Sequence, residues 1–136
     1  TFQVLTKRPD RLVDLSSQIN WTPNIWMGVT VENTCALERL AKLKRCGAKI
    51  KFVSAEPLLE SINQIDLNGI DWLIVGGESG AGCRPLEKKW VIELRDIAKR
   101  SNTPFFFKQW GGFHHSQAGS ELDGVEYKEY PLKSST

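Results

Sequence analysis

The sequence predicts an α/β protein with a mainly parallel sheet of about five βα units. Short apolar runs alternate with segments in which apolar residues recur at helical spacing, and this alternation requires parallel strands joined by right-handed crossovers. Each apolar run also ends abruptly in charged or amide side chains. Because all strand C-termini of a parallel sheet lie along one edge, these polar residues are expected to converge in space.

Five apolar runs predict the strands: Phe2–Thr6, Trp26–Val31, Ile50–Val53, Trp72–Val75 and Phe105–Phe107. The last is apolar throughout, as is typical of a strand covered on both faces. These strands and their connections define a barrel-like unit over residues 1–110. Residues 111–136 form a polar tail with His114-His115 in a loop and a possible short strand at 124–127.

The segment after the first strand predicts a helix. Pro9 suits its first position, and Leu12, Leu15 and Ile19 form an apolar stripe. The connection 57–71 carries a weaker pattern and predicts a loop with one turn near Leu58-Leu59.

Two further helices are predicted. Asn33 or Thr34 can cap the second, and Gly47 suits the position just after its C-terminus. Its inward residues are Leu37, Leu40, Ala41 and Leu43. The third, near 87–100, has the clearest apolar face, formed by Trp90, Val91, Leu94, Ile97 and Ala98.

Composition limits the possible classes. At 136 residues, 40% hydrophobic and 25% charged, the chain suits one globular domain and contains no run near the roughly 20 apolar residues that span a bilayer. A net charge of +2 gives no global attraction to nucleic acid, and the basic cluster around Lys42–Lys51 is most simply a solvated face.

Cys35, Cys46 and Cys83 form no CxxC pair, which favours a reducing, cytoplasmic location. Because the chain opens on a strand without an initiator methionine, we expect further sequence upstream.

The polar residues at the strand ends form the candidate site for a small-molecule ligand. No catalytic role is assigned among them. They are Lys7, Arg8, Glu32, Asn33, Ser54, Glu56, Gly76, Gly77, Glu78, Ser79, Lys108 and Gln109.

The glycine-rich loop 76–82 is the sharpest local signal. Its glycines allow positive φ and close backbone approach, its N–H groups can form an anion nest, and Glu78 can bind an amine or hydroxyl. The alternative is a simple tight turn with Glu78 in solvent. The spacing matches neither GxGxxG before a helix nor a Walker A loop.

The other strand ends also have two interpretations each. Glu56 can act as a general base or bind a ribose or amine, or it can simply pair with a cation such as Lys108. Lys108 is a candidate catalytic amine, or it forms a structural ion pair with Glu56 or Glu78. Asn33 beside Glu32 can be only a helix cap. Lys7-Arg8 lies where a phosphate or carboxylate would meet a helix N-terminus, although one of the two can be solvated or salt-bridged.

Taken together, five motifs resemble an uncharacterised phage-associated bacterial family that is similar to radical S-adenosylmethionine (SAM) enzymes. The motifs are FQVLTKRP at 2–9, GVTVEN at 28–33, FVSAEPLL at 52–59, DWLIVGGESG at 71–80 and FFFKQWG at 105–111. The resemblance implies the C-terminal part of a TIM-barrel-like domain. It also implies SAM and a [4Fe–4S] cluster in the full-length protein, the cluster held by a three-cysteine motif near the start of that protein.

None of the three cysteines here matches that motif, so we expect this chain by itself to be inactive. Gly76-Gly77-Glu78 resembles the element that binds the SAM amine, but that element follows an early strand in those enzymes, and the role is not transferred to Glu78. Two alternatives stay open: a conventional TIM-barrel lyase or isomerase with 76–80 as a phosphate loop, and a non-catalytic phage or host binding module.

The sheet edges are a further expectation. In a barrel segment the strands 2–6 and 105–107 would have unpaired edges and would promote self-association. In an open doubly wound sheet, short strands or the tail would shield them.

The cysteine pattern makes a prediction about metal. After anaerobic reconstitution with iron and sulfide, the purified chain should show no iron–sulfur absorbance and no stoichiometric iron, because it lacks clustered thiolates. A fully occupied cluster would contradict this interpretation of the cysteines.

Overall fold

The computed structural model describes residues 1–112 and 119–132 and shows an α/β domain with one five-stranded parallel sheet. His114 and His115 lie outside the described residues. The elements are β1 (Phe2–Thr6), α1 (Pro9–Leu15), β2 (Ile25–Thr30), α2 (Arg39–Lys44), β3 (Ile50–Ala55), β4 (Trp72–Gly76), α3 (Lys88–Arg100), β5 (Phe105–Gln109), β6 (Glu121–Leu122) and β7 (Val125–Glu126). Single 3₁₀ turns follow α1 at Ser16–Gln18 and precede α2 at Thr34–Glu38.

The strands pair in the order in which they occur in the chain, β1-β2-β3-β4-β5, and every neighbouring pair is parallel. Right-handed crossovers that always advance in one direction place their connections on the same face of the sheet. A doubly wound sheet reverses its strand order, and the described residues contain no such reversal.

One face of the sheet therefore carries the main core. Its strand side chains include Val29, Val53, Val75 and Phe107, all fully buried. They pack against apolar residues of the three helices, namely Leu12, Leu40, Leu43, Val91, Leu94 and Ala98. We call the opposite side of the sheet the open face.

The open face begins with an aromatic cluster. Trp72 lies edge-on to Trp26 at 5.8 Å between ring centroids, and the Phe52 ring is also 5.8 Å away. Gly28 of β2 leaves room for the Phe52 ring, because a Cβ at this position would lie 2.4 Å from Phe52 Cε2. All three rings are buried.

The first helix is shorter than predicted. Pro9 occupies its N-terminal position and Leu12 is buried, both as predicted. Leu15 and Ile19, however, are 38% and 37% exposed, because α1 ends at Leu15 and the chain turns away through a 3₁₀ segment.

The second helix confirms part of its prediction. Leu40 and Leu43 are buried, whereas Ala41 is exposed, so its inward assignment was wrong. Gly47 is not a helix cap, because α2 ends at Lys44. It instead allows contact with Trp21, whose Cδ1 would lie 2.4 Å from an added Cβ.

The prediction for the third helix is confirmed, whereas the connection from β3 to β4 contributes more to the core than its sequence pattern indicated. Helix α3 buries Val91, Leu94 and Ala98 on the predicted face. Residues 57–71 form no helix or strand, as predicted, yet the connection is anchored in the core by Leu58, Ile62, Ile65, Leu67 and Ile70.

The two edges of the sheet are different. Along β5 the tail adds an antiparallel partner: Phe107 N donates to Tyr127 O at 2.8 Å, and Phe106 bridges to Lys128. The open edge expected at 105–107 for a barrel segment was therefore wrong, and the tail shields this edge as in the alternative. At β1, Phe2 and Leu5 remain 65% and 50% exposed.

The short strand predicted within 124–127 is confirmed as β7, which forms a hairpin with β6. No helix in residues 1–112 or 119–132 is long and apolar enough to cross a membrane.

The contact between Gly28 and Phe52 generates a stability prediction. Gly28→Ala should destabilise the protein by about 1–3 kcal/mol, because the new methyl forces the Phe52 ring to move in a packed cluster. Urea unfolding measures this cost. In a Phe52→Leu background the same substitution should cost less, since the smaller side chain relieves the overlap. Equal costs in both backgrounds would contradict the proposed contact.

Candidate functional site

The candidate residues lie at one edge of the sheet because all five strands are parallel and end there. Ser54, Gly76, Lys108 and Gln109 are in the last positions of their strands rather than after them, since β3, β4 and β5 run further than predicted. The other candidates follow β1, β2, β3 or β4 directly.

A cleft of about 410 Å³ lies on the open face. Strand alternation turns Ser54 of β3 and Lys108 of β5 towards it, together with Glu56 just beyond β3. The remaining wall is largely apolar and aromatic. It is formed by Gln3, Leu5, Phe52, Trp72, Ile74, Phe106 and Tyr130.

An ion pair between Glu56 and Lys108 lies at the polar end of this cleft. Lys108 Nζ is 3.2 Å from Glu56 Oε1 and 3.4 Å from Oε2, which confirms the predicted pairing. The lysine side chain is 52% exposed and the glutamate 23%. The pair joins β3 to β5 across the intervening strand β4.

Gly76 of β4 makes this bridge possible. A Cβ at Gly76 would lie 3.2 Å from both Cγ and Cδ of Glu56, tighter than ordinary van der Waals contact. The glycine therefore leaves the space over β4 that the Glu56 side chain occupies. Gly76 contributes to the candidate site because it lacks a Cβ, not because it has an unusual backbone conformation.

Glu78 is held by Arg84, a residue that the sequence did not single out. Arg84 Nε and Nη2 donate to the two carboxylate oxygens at 2.9 and 3.0 Å, and Arg84 N donates to Oε2 at 2.9 Å. These bonds from the Arg84 side chain and backbone lower the pKa of Glu78 to about 2. Glu78 is thus neither a solvated side chain nor an unpaired acceptor for an amine.

The glycine-rich loop pairs with the last residue of β5 and with the segment that follows it. Gly77 N donates to Gln109 O, Gly80 N to Gly112 O, and Gly112 N to Glu78 O. An added Cβ on Gly77 would lie 1.9 Å from Trp110 O. The glycines permit close approach of two backbones, and the amides of Gly77 and Gly80 are already engaged instead of facing an anion.

Side chains reinforce the same contact. Gln109 Nε2 donates to Ser79 Oγ at 3.0 Å, so these two predicted site residues bind each other.

The two candidate residues that follow β2, Glu32 and Asn33, have structural roles. Arg39 Nη1 donates to Thr30 O at 2.6 Å and lies 3.4 Å from Glu32 Oε2. Asn33 Oδ1 accepts from Ala36 N at 3.1 Å, which confirms the capping interpretation. Glu32 and Asn33 therefore stabilise the turn into the following helical segment.

The structure separates the two predicted cations that follow β1. Arg8 lines a different groove, on the helix-covered face, together with Arg11, Leu12 and Leu15. Gln3 and Leu5 lie on the open face, and Lys7 is two positions further along, so strand alternation places Lys7 on the same face. Within residues 1–112 and 119–132, neither Lys7 nor Arg8 forms an ion pair.

Sequence reasoning missed several residues of the site, among them Gln3, Arg39, Trp72, Arg84 and Tyr130. Gln3 and Trp72 could have been found from strand alternation, because Trp72 precedes Gly76 by four positions on β4 and Gln3 precedes Lys7, just after β1, by the same number. Tyr130 carries no sequence signal, since its position depends on how the tail folds back along β5.

The described residues do not provide a cluster site. Cys35 is exposed, Cys46 is buried and Cys83 is half-buried, and each is a free thiol. Within the described part of the chain, no three His, Cys, Asp or Glu side chains come together to hold a metal ion. A [4Fe–4S] cluster therefore does not fit these residues.

A family model described as "Protein of unknown function (DUF5131)" matches residues 1–131. No curated protein and no solved structure matches the chain.

The Glu78–Arg84 pair generates a pH prediction. Because the folded-state pKa of Glu78 is about 2, below its ordinary value of 4.5, the pair should stabilise the protein fully above pH 4.5 and lose this effect as pH falls towards 2. Glu78→Gln should lower the urea midpoint near neutral pH, and its difference from wild type should shrink over that window.

Glu87→Gln is the matched control, because this exposed carboxyl makes no side-chain cap bond at α3. A wild-type to Glu78→Gln difference that stays constant from pH 6 to pH 2 would contradict the pairing.

Proposed function

The chain belongs to the DUF5131 family, and we propose that it forms the cofactor- and substrate-facing rim of a (β/α)-barrel enzyme similar to radical SAM enzymes. The observation that carries this proposal is the uninterrupted strand order β1 to β5 with the helices on one face and a cleft on the other. In a (β/α) barrel the strands also follow one another in sequence, with helices outside and side chains inside.

The chemistry of the open face supports the same proposal. Buried aromatic side chains fill the open face near the starts of the strands, as side chains fill the interior of a barrel. Near the strand C-termini the open face ends in the Glu56–Lys108 pair beside Ser54. Active sites of barrel enzymes lie at the C-terminal ends of the strands. Glu56 can accept a proton or a hydrogen bond there, and Lys108 can donate one.

The resemblance to radical SAM enzymes adds the cofactors. A [4Fe–4S] cluster and SAM would supply radical chemistry in the full-length enzyme. The described residues do not hold the cluster, so the role proposed for this chain is to bind and orient the reacting molecule with Ser54, Glu56 and Lys108.

Two other functions receive different support. A phosphate loop at 76–80 is disfavoured, since the amide of Gly77 is bonded to Gln109 O at the end of β5 and the amide of Gly80 to Gly112 O beyond it. A non-catalytic binding module is favoured by the apolar edge of β1, where Phe2, Val4 and Leu5 are exposed.

The proposal predicts a specific kinetic result. A full-length family member with these residues, reconstituted anaerobically with iron and sulfide and given dithionite as the electron donor, should cleave SAM reductively to methionine and 5′-deoxyadenosine, with the added hydrogen atom coming from substrate or buffer. Glu56→Gln should slow turnover of its substrate by at least about 100-fold if Glu56 transfers a proton. Lys89→Met, on the exposed face of α3, should leave turnover unchanged.

Two outcomes would contradict the proposal in different ways. Absence of 5′-deoxyadenosine in protein with full iron content would exclude radical SAM chemistry. Unchanged turnover in Glu56→Gln and Lys108→Met would exclude a role for the cleft.

A further inference from the structure

We infer that the cleft on the open face takes a small ligand with a planar aromatic ring and one anionic group. This inference rests on the proposed function for the location of the site and goes further by naming the chemical class of the ligand. Three features support it: the charges along the strand ends, the exposure of Lys108, and the position of Tyr130.

The first feature is that each carboxylate at the strand ends is already neutralised. Glu32 is paired with Arg39 at 3.4 Å, Glu56 with Lys108 at 3.2 Å, and Glu78 with Arg84 at 2.9 Å. Lys7 lies at the same edge and forms no ion pair with any described residue. Glu60 in the loop after β3 also carries a negative charge near this edge, but its carboxylate already accepts from Thr34 N and Oγ1 at 2.8 and 3.1 Å. Of the charges that directly follow the strands, Lys7 is therefore the one without an ion-pair partner among the described residues, which favours an anion over an amine.

The second feature is that, in the Glu56–Lys108 pair, the lysine side chain is more exposed than the glutamate. The Lys108 side chain is 52% exposed, against 23% for Glu56. An ammonium has three donor hydrogens, so Lys108 can bind a ligand oxygen while it keeps its bond to Glu56. The backbone of Lys108 is also held, because Lys128 Nζ donates to Lys108 O at 3.2 Å and to Phe107 O at 2.5 Å.

The third feature is an exposed aromatic ring in the wall of the cleft. Tyr130 is 57% exposed although its ring lies 5.3 Å from Trp72 and 5.4 Å from Phe106 between centroids. The tail holds it there, since Trp72 Nε1 donates to Glu129 O at 2.8 Å. A ligand ring beside Tyr130 would extend this aromatic cluster at favourable offset or edge-on geometry.

The spacing of these features limits the size of the ligand. Phe106 and Lys108 are two residues apart on β5 and both face the cleft. Two residues of a strand span about 6.6 Å, which is close to the distance across a benzene ring with one substituent. A single aromatic ring with a carboxylate or phosphate can therefore contact the aromatic wall and the ammonium together.

Ligand-observed saturation-transfer NMR and calorimetry on this chain would test the inference. The probes are benzoate and phenyl phosphate, with benzyl alcohol, benzylamine, acetate and inorganic phosphate as comparisons. Benzoate and phenyl phosphate should bind at least about tenfold more tightly than benzyl alcohol, the effect of one charged hydrogen bond. Acetate and inorganic phosphate should also bind more weakly than the ring-bearing anions, because they lack the ring contact.

The variants give a signature that a purely structural role would not produce. Lys108→Met should weaken benzoate binding at least about tenfold, whereas Glu56→Gln should strengthen it severalfold, because Lys108 loses its competing carboxylate. Tyr130→Leu should reduce the advantage of benzoate over acetate. Lys89→Met should change nothing, and circular dichroism checks that each variant is folded.

Several results would overturn the inference. These are tighter binding of benzylamine than of benzoate, equal binding to wild type and a folded Lys108→Met variant, or weaker binding to Glu56→Gln. Binding of aromatic anions without formation of 5′-deoxyadenosine in the full-length protein would keep the ligand class and reject radical SAM chemistry. The converse result would keep that chemistry and reject the ligand class.

Discussion

The sequential, wholly parallel pairing of β1 to β5 is the constraint on which the other features depend. It sends the connections to one face, where Val53, Val75 and Phe107 join the helices in the main core. Within the part of the chain that the structure describes, it leaves the second face without helices, and it brings every strand C-terminus to the same edge. The cleft and its polar end follow from this pairing, because Glu56 and Lys108 are 52 residues apart in the chain.

Glycines then decide how closely the parts of this edge approach each other. Gly28 admits the Phe52 ring, Gly76 admits the Glu56 side chain, and Gly77 allows the carbonyl of Trp110 to come near. None of these three has a positive φ, so their common property is the missing Cβ rather than unusual backbone conformation. The aromatic cluster, the central ion pair and the loop contact each depend on one of these spaces.

Electrostatics completes the arrangement. Arg39, Arg84 and Lys108 each pair with one carboxylate at the strand ends, and the pairs differ in exposure and in geometry. Arg84 binds both oxygens of Glu78 and also donates its backbone N–H, which fixes the loop rather than leaving a carboxylate for a ligand. The Glu56–Lys108 pair lines the cleft, so it is the pair in position to exchange partners with a bound molecule.

The sequence by itself determined the parallel α/β class, the five strands, the amphipathic helix α3, the Asn33 cap and the candidate pairing of Glu56 with Lys108. These depend on local periodicity and on the rule that parallel strands end together. Only the tertiary structure decided that Glu78 is bound by Arg84, that Arg8 lies on the other face, and that the tail covers β5 and places Tyr130 in the cleft. These outcomes depend on loop conformation and long-range backbone pairing, for which neighbouring residues in the sequence carry no periodic signal.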